Sequence, residues 1–194
     1  GYMGYKYTLN ENGSFVEYGD RPEDYSADVY TSKAQEFINQ AAKDRQPFFL
    51  YLAYFAPHQP AIPAPRHSEL FPDVFAPRTP SFNEADVEDK PKYIRELPLL
   101  SQAQKNRIDR LYQKRLRSLQ AVDEGLVTLV NTLKANGQLD NTYIIFTSDN
   151  GYHLGQHRLP PNKETAYEED IHLPLYVTGP DVPMGETRDQ IVGN

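Results

Sequence analysis

The stretch TYIIFTSDNG, residues 142–151, joins a short apolar run to Ser148-Asp149-Asn150-Gly151. TYIIFT is rich in β-branched and aromatic side chains and follows the turn-forming Leu139-Asp140-Asn141, so it reads as a buried strand. What comes next decides where chemistry would sit, because in open α/β sheets the loops at the carboxyl ends of strands form the ligand crevice. An aspartate carboxylate beside an asparagine carbonyl offers hard oxygen donors, which suit calcium or magnesium better than zinc. Calcium takes about six to eight oxygens, so Asp149 and Asn150 are a partial shell. On their own the four residues are more simply a turn, since Asp, Asn and Gly dominate turns for backbone reasons.

Working outward, LPLYVTGP at 173–180 reads as a further strand, with Pro174 suited to its start or to an edge. PFFLYLAYF at 47–55 is a nearly unbroken apolar run ended by Ala56-Pro57, as expected of a strand buried on both faces. Residues 28–43 place Tyr30, Ala34, Phe37, Ile38 and Ala41 at helical spacings of three and four. Residues 101–136 repeat the pattern from Ile108 to Leu133, predicting one long helix or two abutting ones, closed by Asn136-Gly137. Helices alternating with short apolar strands predict an α/β fold with a mostly parallel central sheet and helices on both faces. If the strands at 47–55 and 142–147 are neighbours, His58, held between Pro57 and Pro60, faces the same crevice as Asp149.

Bulk properties narrow the function. The 194 residues suit one α/β core or part of one. Sixteen prolines, concentrated between Pro57 and Pro98, together with Phe71, Phe75, Phe82 and Tyr93 predict a long, ordered, irregular excursion. A net charge of −7 without a lysine or arginine block argues against nucleic acid as a partner. No apolar run approaches the roughly 18 residues that span a bilayer, and the start has no basic-then-apolar signal pattern. The chain has no cysteine, which excludes thiolate chemistry within it. Asn12-Gly13-Ser14 fits a glycosylation sequon.

SDNGYHLGQHRLPPNKETAYEEDIHLPLYVTGP at 148–180 resembles the sulfatase family, within the alkaline phosphatase-like superfamily and nearest its N-acetylglucosamine-6-sulfatase and arylsulfatase branch. LYLAYFAPHQPAIPAPRH, PRTPSFNEADVEDKP and RLRSLQAVDEGLVTLVNTL resemble the same family in the same order, so the likeness covers essentially the whole chain. It implies that Asp149 and Asn150 are ligands of a divalent cation, normally calcium. It implies that His58 hydrogen-bonds the sulfate ester and helps protonate the leaving oxygen, and that Lys163 contacts the sulfate. A sulfate monoester has a leaving oxygen that gains charge, which a cation, a lysine and a proton donor all stabilise. Tyr152, His153 and Arg158, shortly beyond the metal loop, are the expected substrate-lining residues. His157 is equally well structural, and Glu168, Glu169 and Asp170 read as an element leading into the last strand.

The family's nucleophile is a formylglycine made from the first residue of Cys/Ser-x-Pro-x-Arg, and no such pentapeptide occurs in the chain. The resemblance therefore implies the central part of a catalytic domain over 1–194, with the nucleophile outside it and the isolated fragment inactive. The expected substrate is a sulfated carbohydrate or an aryl sulfate, met in an exported or lysosomal setting by resemblance alone. Two alternatives stay open: a phosphodiesterase or phosphonate hydrolase of the same superfamily, and a non-catalytic glycan-binding relative.

Overall fold

The computed structural model describes residues 2–193, divided into two compact units: Gly1–Phe75 with Asp109–Leu139, and Ala76–Ile108 with Asp140–Asn194.

The first unit opens with a hairpin, β1 (Tyr7–Glu11) antiparallel to β2 (Ser14–Tyr18). Asn12 and Gly13 turn it at φ 53° and 95°, the left-handed pair that matches the twist of tight hairpins. Tyr7 and Tyr18 face each other in register, with ring centroids 5.0 Å apart. Helix α1 (Ser26–Asp44) lies where periodicity predicts it and buries Ala27, Val29, Ala34 and Ile38. It stops at Arg45, φ 54°, whose N–H returns to the carbonyls of Ala41 and Ala42. Tyr25, 2 % exposed, packs with Ala27, Ala64 and Ala121 and donates its hydroxyl to the Ile62 carbonyl at 2.9 Å. Burying such a ring contributes on the order of 2 kcal/mol.

The long helical pattern forms one helix, α3 (Gln102–Ala135), after the short α2 (Lys92–Arg95). Its first residues belong to the second unit and the rest to the first. Gly125 lets α3 approach closely: a Cβ there would lie 2.6 Å from Thr31 Oγ1 and 2.8 Å from the Tyr54 hydroxyl. The end is capped as expected, with Gly137 at φ 65° and Gln138 N–H donating to Leu133 O at 2.8 Å.

Arg66 ties α1 to α3 within this unit, donating to both oxygens of Asp28 at 2.8 and 2.7 Å and to Glu124 at 2.9 and 2.6 Å. His67 Nε2 adds a contact to Glu124 at 2.8 Å. Burial alone would raise the Glu124 carboxyl, but the Arg66 and His67 hydrogen bonds outweigh it and hold it below its ordinary value. A depressed carboxyl contributes stability that is fully present above its unfolded value, 4.5, and lost as pH falls through the lower folded one. Denaturant midpoints of wild type and Glu124→Gln should therefore differ at neutral pH and converge in acid. Equal midpoints at neutral pH would remove the contribution.

The run at 47–55 departs from expectation: no residue of it belongs to a ladder among the described residues. Its burial alternates, with Phe49 87 % and Tyr51 81 % exposed, so one face is covered rather than two.

In the second unit, β3 (Ile144–Thr147) pairs antiparallel with β4 (Leu175–Thr178), Ile145 opposite Val177 and Phe146 opposite Tyr176. Both strands lie where the apolar runs predict them, but they are not buried: Ile145 is 64 % and Tyr176 69 % exposed. The two ladders of the described residues are antiparallel, whereas helix–strand alternation predicted parallel pairing. A parallel pair needs a full crossover, and β3 and β4 are joined by an irregular segment whose helix, α4 (Glu168–Ile171), is a single turn. Val87, Ile94 and Leu159 form a small core here, with Leu97 and Tyr167 against it.

Candidate active site

The loop after β3 is tightly self-bonded. Asn150 N–H donates to Asp149 Oδ1 at 3.0 Å, Asn150 Nδ2 to the Gly151 carbonyl at 2.8 Å, and Ser148 Oγ to the Asn150 carbonyl at 2.8 Å. Asp149 is exposed and Asn150 half-buried. Lys163 Nζ donates to Asn150 Oδ1 at 3.0 Å, so residues thirteen apart in sequence meet at one amide oxygen. That oxygen has a second lone pair for a metal. The donors fit a hard cation in type but supply only part of a shell, since no group of three or more His, Cys, Asp or Glu among the described residues could hold one.

The loop rests on α4. Gly151 N–H donates to the Asp170 carbonyl at 2.9 Å and Tyr152 N–H to the Glu169 carbonyl at 2.7 Å. His153 and Asn162 exchange backbone hydrogen bonds at 2.9 and 3.2 Å, which places Lys163 beside the segment that follows Asn150. Beneath them Asp170, 6 % exposed, accepts Thr165 N–H at 2.8 Å, Thr165 Oγ1–H at 2.7 Å, and His153 Nδ1–H at 3.0 Å on each oxygen. Burial alone would raise this carboxyl, but the Thr165 and His153 hydrogen bonds outweigh it and hold it below the usual carboxylate range.

The expected substrate-lining residues are placed differently from one another. Tyr152 is half-buried, and His153 is 2 % exposed with its Nδ1 turned to Asp170. Arg158 donates to the carbonyls of Glu84 (2.8 Å), Leu97 (2.9 Å) and Ala85 (2.7 Å), so its guanidinium fastens a loop. His157 Nδ1 lies 2.7 Å from Glu84 and its ring 4.1 Å from that of Tyr167, a structural environment. His157 and Arg158 both take positive φ, 51° and 66°, which these side-chain anchors hold in place.

His58 belongs to the first unit and is exposed. Cis peptide bonds precede Pro57 and Pro60 on either side of it, its ring stacks on Tyr2 at 4.2 Å, and Nδ1 lies 2.7 Å from the Gln59 carbonyl. Because a carbonyl only accepts, Nδ1 is the donor in this contact and Nε2 stays outside it. Asp170 and Thr165 are the supporting residues that sequence reasoning missed. Three successive acids give no sign of which one is buried.

The fold is shared with a solved complex described as BT4656 with its substrate D-glucosamine-2-N,6-O-disulfate, which superposes with a TM-score of 0.72 at 23 % identity, over 91 % of this chain and 47 % of that one. The family profile named Sulfatase matches residues 2–194, and the chain belongs to the sulfatase family. Sulfatase ppz1 of Metarhizium majus is 41 % identical over 184 residues, 90 % of this chain and 42 % of that protein. The N-acetylglucosamine-6-sulfatase of Homo sapiens is 38 % identical over 192 residues, 98 % of this chain and 34 % of that protein. The chain thus spans less than half the length of these relatives.

Proposed function

We propose that the full-length polypeptide containing this chain hydrolyses sulfate esters of sugars, with calcium and with a formylglycine nucleophile outside these 194 residues. The observation that carries this reading is Lys163 Nζ at 3.0 Å from Asn150 Oδ1, a cationic side chain beside an adjacent pair of hard oxygen donors. Asp149 and Asn150 hold the cation; when bound, calcium would offset the charge of the sulfate oxygens. Lys163 adds a second positive charge for the sulfate. For His58, which belongs to the first unit, family likeness alone suggests a proton donor to the leaving oxygen, acting as the doubly protonated imidazolium. Tyr152 lines the sugar, while His153 and Arg158 act from behind it by fixing the loop.

The phosphonate-hydrolase alternative is less favoured, because an amide oxygen shared with a lysine suits one weakly held calcium better than a two-metal phosphoryl site. The test is turnover of N-acetylglucosamine 6-sulfate and of a phosphonate monoester by the full-length polypeptide, with and without a calcium chelator. Chelator-sensitive cleavage of the sulfate is expected to exceed cleavage of the phosphonate. Preferred phosphonate turnover, or glycan binding without turnover, would reverse the assignment.

A further inference from the structure

Asp170 lies outside the residues proposed to touch cation or substrate, yet within the second unit it joins the segments that carry Asn150 and Lys163. Its carboxylate accepts two hydrogen bonds from Thr165, two residues beyond Lys163, and one from His153, three residues beyond Asn150. Its own carbonyl accepts Gly151 N–H, adjacent to Asn150. The metal loop, the lysine loop and α4 therefore converge on one buried side chain. A buried carboxylate is costly unless its lone pairs are filled, so the arrangement tolerates little displacement of Thr165 or His153.

We infer that Asp170, through Thr165 and His153, is a positioning residue that sets Lys163 Nζ against Asn150 Oδ1 and so fixes the spacing of the cation site and the sulfate site. This rests on the proposed function for the identity of the two sites. Releasing Thr165 would free the end of the lysine loop. Releasing His153 would leave its imidazole unpartnered in the interior beneath the metal loop. Supporting hydrogen bonds of this kind typically cost about 10–100-fold in metal affinity or activity when removed.

The test uses the full-length polypeptide, calcium titrated by calorimetry, and three variants. Asp170→Asn removes the charge and two acceptor sites. Thr165→Val removes the hydroxyl without changing charge. Thr165→Ser keeps it. Asp170→Asn is expected to raise the calcium dissociation constant about 10–100-fold and Thr165→Val severalfold, with Thr165→Ser within about twofold of wild type. At saturating calcium, Asp170→Asn and Thr165→Val should lower kcat for sulfate cleavage more than they change KM, because Lys163 is no longer held, while Thr165→Ser should retain both. If Asp170→Asn does not fold, Thr165→Val against Thr165→Ser decides. Calcium affinities within about twofold of wild type for Asp170→Asn and Thr165→Val would overturn the inference, as would a wild type that binds no calcium. A wild type that binds calcium but cleaves no sulfate ester refutes the proposed function alone, and the variant affinities still judge Asp170.

Discussion

Replacing Lys163 with alanine in the full-length polypeptide is expected to lower kcat for N-acetylglucosamine 6-sulfate about 10²–10³-fold, the usual loss for one preorganised donor at developing charge. Its ammonium is half-buried and fixed 3.0 Å from Asn150 Oδ1, so its field is already oriented before substrate arrives. Steady-state kinetics at saturating calcium separate the possibilities. A raised KM with unchanged kcat would mean that Lys163 only binds substrate, and that its charge does nothing special in the transition state. Arginine at this position should restore little, because a planar fork cannot replace a compact ammonium at one amide oxygen.

Gly151→Ala should be the most damaging single methyl in the second unit. A Cβ at Gly151 would lie 2.1 Å from the Glu169 carbonyl and 2.8 Å from Asp170 Cα. These are backbone atoms, so no side chain can swing aside, and the need for glycine is steric rather than conformational. Relief requires the loop after β3 to lift off α4, breaking the Gly151 and Tyr152 hydrogen bonds to it. Overpacking of this type costs about 1–3 kcal/mol, occasionally more. The denaturant midpoint should fall and calcium binding should fall with it. An unchanged midpoint would mean that the loop is not seated on α4 as described.

Periodicity located α1 and α3 because an amphipathic face records its own burial along a single element. The hairpin at 7–18 is equally legible in Asn12-Gly13 between alternating residues, a pair that also fits a sequon. Strand partners were not legible. Ile144–Thr147 and Leu175–Thr178 were found as apolar runs, yet nothing in an apolar run states direction of pairing or how much of it is covered. In the site, Asp149 and Asn150 stood out as neighbours in sequence and Lys163 through family likeness. Its contact with Asn150 depends on the His153–Asn162 bridge, a relation between distant residues. Asp170 was invisible for the same reason, because Glu168, Glu169 and Asp170 differ in burial and not in chemistry.

The extended run at 47–55 has a practical side. Phe49 and Tyr51 project an aromatic ledge, and the backbone beside them offers amide groups that no described strand engages. Such an edge is a template for any other chain, including an identical one. At high concentration this polypeptide is therefore a colloidal hazard. Arginine-containing buffers or low concentration would matter more to its recovery than added salt, which would screen the repulsion of its −7 charge and bring the ledges together.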